Sequence, residues 1–268
     1  MKKRRWCRAL LLVTLTVITI PVLSAQEQGS SQSPSEPEAM PILKKMSNFL
    51  AAAGRFSVTI RDDYDVVQES GQKIEFGEIR NVTVNRPDRL RIDVERSDGQ
   101  KGLVIFDGKA ITIYSADHNF YATTSRPGTL DQAIQYALDD LKIRMPLALM
   151  LLSTLPSELD KLGVSADYVE TTTITDVPCD HLAARTAGGV DFQVWVAQRG
   201  EPLPRRIVIT YKDENGQPQF RADLSEWNLA PDVSDALFAF NPPNGAERIQ
   251  FLAEARSAAA VPAKGDNK

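Results

Sequence analysis

Cysteine and histidine are nearly missing from this chain: 268 residues carry two of each. Cys7 lies in the N-terminal leader described below, so Cys179 stands alone, and a lone thiol closes no intrachain disulfide. His118 and His181 each follow an aspartate, Asp117 and Asp180. Neighbours on a strand point to opposite faces, so neither pair is preset for hydrogen bonding. One thiol and two imidazoles fall short of a structural zinc set, and no Gly-x-Ser-x-Gly or His-Glu-x-x-His run occurs. If Cys179 and His181 share a strand face they could form a nucleophile–base pair. The plainer reading is a buried small hydrophobe beside a surface histidine. Asp62, Asp63 and Asp65 lack calcium-loop spacing and read as a solvated turn. Asp139-Asp140 falls at a helix end, where the dipole does not favour acids. These absences exclude the usual enzyme constellations, so no catalytic, metal or cofactor site is expected.

Long basic runs are also absent. The bases concentrate at the start, where Lys2, Lys3, Arg4, Arg5 and Arg8 precede the apolar run ALLLVTLTVITI at 9–20. That run is short for a bilayer span, Pro21 ends it, and Ser24-Ala25 supply small residues for cleavage. Residues 1–25 are therefore read as a signal peptide, with an uncleaved anchor as the alternative, and the periplasm as destination. No cysteine follows the run to accept a lipid. Removing five bases and no acids takes the net charge from −4 to about −9. Nucleic acid and anionic membrane surfaces are thereby poor partners.

Residues 26–37 (QEQGSSQSPSEP) are polar and read as a flexible leader, and the tail 257–268 reads as disordered. Between them, 38–250 reads as one domain. Ser35 to Glu38 has capping-box spacing, and Ile42, Leu43, Met46, Phe49, Leu50 and Ala53 recur at helical spacing up to Gly54. The period then changes to two: Phe56, Val58, Ile60; Ile74, Phe76; Val82, Val84; Leu90, Ile92, Val94; Ile111, Ile113. Asp98-Gly99, Asp107-Gly108 and Asn215-Gly216 are hairpin signals, so neighbouring strands are antiparallel. Later strands are read at 168–174, 190–196, 205–213, 217–229 and 238–240. Residues 129–162 interrupt this pattern. Thr129 and Gln132 form a capping box for a helix over 130–141, 145–155 (MPLALMLLSTL) is densely apolar, and Ser157 caps a short helix ending at Gly163.

The fold class is therefore α+β, mainly antiparallel β, with about ten or eleven strands, an N-terminal amphipathic helix and a helical insert. A wide one-sided sheet curls, and helices that cover its concave face without filling it leave an apolar cavity. Candidates for its wall are Leu90, Ile92, Ile111 and Ile113. Candidates for its lid are Leu138, Met145, Leu149, Met150 and Leu152, although plain core packing explains the insert equally well. The methionines suit variable apolar ligands.

Three motifs carry a resemblance. Val84-Asn85-Arg86-Pro87-Asp88-Arg89-Leu90-Arg91, the hairpin Phe106-Asp107-Gly108-Lys109 leading to Ile113-Tyr114, and Phe238-Ala239-Phe240-Asn241-Pro242-Pro243-Asn244-Gly245-Ala246 resemble, in order and spacing, signatures of the LolA/LolB lipoprotein-carrier fold. PCDHLAAR at 178–185 and PLPRRIVITY at 202–211 resemble a family of predicted periplasmic proteins with that fold. The resemblance implies an unclosed barrel with a helical lid. It implies that Arg86 bonds backbone carbonyls of the lid and holds it shut; a surface arginine ahead of a proline is the other reading. Leu90-Arg91 departs from the carrier's aromatic at that point, which puts a lipoprotein cargo in doubt. The expected function is a monomeric, non-enzymatic periplasmic carrier or chaperone for a lipid, an acylated ligand or a lipoprotein. The competing readings are an envelope sensor or scaffold module binding a protein partner, and a hydrolase using Cys179 or His181.

Overall fold

The computed structural model describes residues 38–253. The expected signal peptide, leader and disordered tail lie outside the described residues. A fourteen-residue helix, α1 (Ala39–Ala52), comes first and buries Leu43, Met46 and Leu50. Its N-cap is Glu38, whose side chain makes no capping bond, so the capping box from Ser35 is not the device that starts it.

Twelve strands follow. Six form an unbroken meander: β1 (Arg55–Val67), β2 (Lys73–Asn85), β3 (Arg89–Arg96), β4 (Lys101–Phe106), β5 (Ala110–Ser115) and β6 (Phe120–Ser125). The helical insert comes next, with α2 (Leu130–Asp139), a short 3-10 turn at Ala148–Leu151 and α3 (Leu155–Lys161). A second meander comprises β7 (Ser165–Ile174), β8 (Val177–Arg185), β9 (Val190–Ala197), β10 (Pro204–Tyr211) and β11 (Gln219–Asn228). A short β12 (Glu247–Ile249) ends the described chain's sheet.

All twelve strands belong to one sheet, ordered β12-β6-β5-β4-β3-β2-β1-β11-β10-β9-β8-β7. The pairs are antiparallel except β12 on β6, which is parallel. The two meanders join where β1 meets β11, and β12 and β7 remain as free edges, so the sheet is unclosed. This is the architecture expected from the alternating pattern and from the resemblance, with one strand more than anticipated. The extra strand is β12, three residues too short to show a period. Phe238-Ala239-Phe240 is not the last strand: Asp235–Phe238 is a 3-10 turn. Phe238 is buried, and the Phe240 ring lies 5.7 Å from Tyr114 and 5.3 Å from Tyr121. The motif thus plugs the outer side of the first meander.

Side-chain parity decides the inner face. Phe56, Val58 and Ile60 of β1, Val82 and Val84 of β2, Leu90 and Ile92 of β3, Phe220, Ala222 and Leu224 of β11, and Val194 and Val196 of β9 join one buried cluster with Leu43, Leu50, Leu130, Ile134, Leu151 and Leu155 of the helices. The two-residue strand period puts these alternate positions on one side, and helical stripes cover them. The β1–β2 register pairs Phe56 with Val84 and Val58 with Val82, so like faces meet across the hairpin.

The helical insert begins as expected. Thr129 accepts from the Gln132 backbone at 3.3 Å, and Gln132 accepts from the Thr129 backbone at 3.0 Å. α3 is different: Thr154, not Ser157, is its N-cap, and the Ser157 hydroxyl donates back to the Thr154 carbonyl. Thr129→Ala removes the side-chain half of this cap, the bond from the Gln132 backbone to the Thr129 hydroxyl, and should cost about 1 kcal/mol. Hydrogen exchange should accelerate across α2 while β1 and β2 keep their protection; uniform loss of protection would show that α2 unfolds only with the sheet.

Candidate functional site

Beneath the insert the inner face is not filled. A cavity of about 190 Å³ lies between the first meander and α2 with the loop and turn that follow it. The strands contribute Phe56, Val58, Ile60, Val82, Leu90, Ile92, Val94, Val104, Phe106, Ile111 and Ile113. The cover contributes Leu130, Ala133, Ile134 and Ala137 from α2, then Ile143, Met145, Leu147, Met150 and Leu151. Trp227 closes the β11 side, its indole N–H donating to the Pro204 carbonyl at 3.1 Å. The charged residues of this wall are Arg80 and Arg144.

Of the residues expected from sequence, Leu90, Ile92, Ile111, Ile113, Met145 and Met150 line the cavity. Leu152 is buried in the core beside it, and Leu138 and Leu149 are partly buried against that core; none of the three is in the wall. Val58, Val82, Val94, Val104 and Trp227 were not anticipated. The signal for Val58, Val82 and Val94 was present in the same alternation that marked Leu90 and Ile92, whereas Val104 lies in the continuous apolar run GLVIF at 102–106, which has no period of two.

Arg86 stands outside the wall, at the seam between helices and sheet. Its Nε donates to the Ala53 carbonyl at the end of α1 at 3.1 Å. Its Nη1 lies 3.5 Å from the Asp131 carboxylate in the first turn of α2. The Leu130 backbone also donates to the Pro87 carbonyl at 2.8 Å. The expected bonds to lid carbonyls are therefore replaced by one carbonyl of α1 and one carboxylate of α2. Asp131 in turn accepts from the Ser153 backbone at 3.0 Å, tying the far end of the insert to the same point. Burial pulls the Arg86 guanidinium below its ordinary pKa, with Asp131 opposing, and its Nη2 is buried without a hydrogen bond.

The acidic group at 62–65 is not a solvated turn. These residues lie inside β1, and Asp62 points to the inner face, its side chain fully buried. Arg80 Nη1 reaches one of its oxygens at 3.1 Å, but neither oxygen has an aligned hydrogen bond. Arg80 is held instead by Glu78, with Nη2 at 2.8 Å and Nε at 3.2 Å, and Arg96 meets the same carboxylate at 3.3 Å. Burial pushes the Asp62 carboxyl up to about 7, Arg80 working against the shift and Glu78 and Asp63 adding to it. At Asp65 desolvation also raises the pKa, but the Gln219 backbone N–H, Arg221 and Lys73 outweigh it and hold the group below its usual value. Among the described residues no group of His, Cys, Asp and Glu could hold a metal ion.

Cys179 and His181 are both on β8, two residues apart. The Cys179 thiol is buried, donates to the Val177 carbonyl at 3.3 Å, and is pushed up in pKa by that burial. His181 is buried rather than on the surface as expected. It bonds Gln193 at 2.9 Å and stacks on Trp195 at 4.0 Å between ring centroids. Its other ring nitrogen, Nδ1, lies 3.7 Å from Glu170. A thiol held protonated is a poor nucleophile.

The family model described as "Predicted periplasmic protein (DUF2092)" matches residues 39–252. No curated protein matches the chain. Solved structures similar to it include an uncharacterized conserved protein from Thermus thermophilus, at 12% identity over 79% of this chain and 98% of that one, TM-score 0.46. A LolA superfamily protein from Nitrosomonas europaea is similar at 12% identity over 76% and 98%, TM-score 0.39. A third is the Pseudomonas aeruginosa MucA/MucB complex, at 17% identity over 75% and 61%, TM-score 0.40. Among the described residues no helix is long and apolar enough to cross a membrane.

Asp62 generates a prediction with a definite sign. Its folded-state pKa, about 7, exceeds the ordinary 3.8, so the folded protein holds a proton that the unfolded chain releases. Its contribution to stability is therefore undiminished below pH 4 and is lost progressively as pH rises toward 7. Asp62→Asn removes that loss. Denaturant melts should show the variant gaining on the parent between pH 4 and 7, by a few kcal/mol at most. A difference that does not vary with pH would mean that Asp62 is ionised in the folded protein throughout.

Proposed function

Because the chain belongs to the DUF2092 family of predicted periplasmic proteins, we propose that it is an exported acyl-chain-binding protein, a carrier or chaperone whose cavity takes the hydrocarbon tail of a lipid or acylated ligand. The observation that carries this reading is an apolar hollow of about 190 Å³ between the first meander and the helical insert. Protein interiors fill such space to crystal-like density, and an empty apolar volume forfeits contacts around its whole wall. Retaining it has a cost in stability that ligand binding offsets.

Size sets how binding proceeds. Pockets for drug-sized ligands run from about 300 to 1,000 Å³. This hollow is smaller, so a full acyl chain enters by displacing part of the cover. The cover is suited to that. Between α2 and α3 it is a loop and one 3-10 turn rather than a continuous helix, and it presents Met145 and Met150. Methionine repacks around variable apolar shapes with little strain. Arg86 and Asp131 act as the strap that returns the cover to its closed position.

Native mass spectrometry of gently purified protein is the direct test, with co-purifying lipid that detergent displaces as the expected result. Ala137→Phe fills the hollow from the α2 side and should weaken binding of an uncharged apolar dye at least tenfold while preserving the circular dichroism spectrum. Absence of lipid together with unchanged dye binding in that variant would overturn the reading, and a crosslinked envelope protein captured by the empty form would favour a partner-binding module. Arg86→Leu should speed proteolysis within 129–162 and raise dye retention. Unchanged cleavage there would remove the strap from the scheme.

A further inference from the structure

The apolar hollow does not end blindly. A second space, a polar cleft of about 800 Å³, lies at the far ends of β1, β2, β10 and β11, lined by Tyr64, Asp65, Glu69, Glu78, Tyr211 and Glu214 among others. Three residues line both spaces: Arg80, Arg144 and Pro146. The two charged residues at this neck are thus both guanidinium groups, and they are also the charged residues of the hollow's own wall. From this juxtaposition we propose that the neck is a headgroup site, so that the ligand is an amphiphile with its hydrocarbon tail in the hollow and an anionic group, carboxylate or phosphate, between Arg80 and Arg144. The proposal rests on the acyl-chain reading above and specifies its ligand class.

The surroundings of each arginine fit that role. Arg80 rises from the inner face of β2 beside Ile60 of β1, its partner in register, and its guanidinium carbon lies 5.9 Å from the centre of the Phe220 ring. It is fixed from below by Glu78 and Asp62, with the side chain still about one-fifth exposed. Asp62 is the weak member of that set, because its oxygens are buried without aligned hydrogen bonds. Arg80 and Arg96 thus share the one carboxylate of Glu78 as their aligned acidic partner. Arg144 comes from the cover, in the loop that follows α2. It lies over Tyr211 at 5.4 Å and pairs with Glu214 in the β10–β11 turn. That pair is solvent-exposed, with the Arg144 side chain three-quarters accessible, so its net worth is small and an entering anion can replace Glu214. Guanidinium groups also suit the target, since their fork matches carboxylate and phosphate oxygens. The acids of the cleft do not contradict this. Asp65 is held by Arg221 and Lys73, Glu78 by Arg80 and Arg96, and Glu214 by Arg144 itself, while the fourth acid, Glu69, is exposed in the turn after β1.

An anion seated there would bridge the sheet, through Arg80, to the cover, through Arg144. Headgroup capture would then close the same segment that tail entry displaces. The test uses displacement of an uncharged apolar dye by decanoate, decyl phosphate and decanol, which share a tail and differ at the head. Both anions should compete at least tenfold more tightly than decanol at equal ionic strength. Arg144 also lines the hollow and pairs with Glu214, and Arg144→Gln should lower the affinity for both anions more than the affinity for decanol, so that the preference shrinks. Arg80→Gln combined with Asp62→Asn, which removes cation and buried acid together, should reduce it further. Inorganic phosphate alone should neither displace the dye nor raise the melting temperature; if it does both, the neck is a free-anion site and the headgroup proposal falls. Equal competition by all three amphiphiles would also overturn the headgroup site while leaving the acyl-chain reading intact. Failure of every amphiphile, decanol included, would overturn the acyl-chain reading itself.

Discussion

A single twelve-stranded sheet with free edges cannot bury its inner face against itself, and the rest of the molecule answers that constraint. In a sandwich or a closed small barrel, facing strands supply the opposing side chains. Here the inner residues of β1 to β4 have only the helical cover above them. α1 packs against α3, β7 and β9. Over the first meander the cover is α2 and an irregular loop, and there the hollow remains.

The same constraint explains the placement of polar groups. Arg86 sits where three elements converge: the end of α1, the turn before β3 and the first turn of α2. An amphipathic cover on an apolar sheet has little directional preference, so position must come from directional contacts at its rim. The Arg86–Asp131 pair, the Ala53 carbonyl and the Asp131–Ser153 bond supply them in one place. Arg144 and Glu214 form the corresponding contact at the opposite rim, exposed and correspondingly weak. The cover is thus tied by the more buried pair at one rim and by an exposed pair at the other.

The Asp62–Arg80–Glu78 group is the exception to an apolar inner face. A buried ion pair is poor evidence for stability, because desolvation of both charges offsets their attraction. The raised pKa of Asp62 expresses that balance. The group lies beside the residue, Arg80, that lines both the hollow and the cleft.

Much of this was legible in the chain. Alternation at Phe56-Val58-Ile60 and Leu90-Ile92-Val94, the three Gly-containing turns and the Thr129–Gln132 capping box each act over a few residues, so local sequence determines them. The one-sided antiparallel sheet, the helical insert and the cavity positions Leu90, Ile92, Ile111, Ile113, Met145 and Met150 followed from such signals. Other features depend on residues brought together from afar, which no local pattern encodes. Asp62 looked like part of a turn because three acids stood close together; only the length of β1 and its pairing with β2 buried it beside Arg80. Phe238 and Phe240 alternate like a strand, yet they cap the outer face, because β12 takes the edge beside β6. Leu149 and Leu152 share the apolar character of Met150, but where the 3-10 turn ends decides which of them meets the hollow. Sequence thus determined which side chains avoid water, since that is a property of each residue and its period. Tertiary structure decided which of them meet each other and which meet empty space, since that depends on how two surfaces fit.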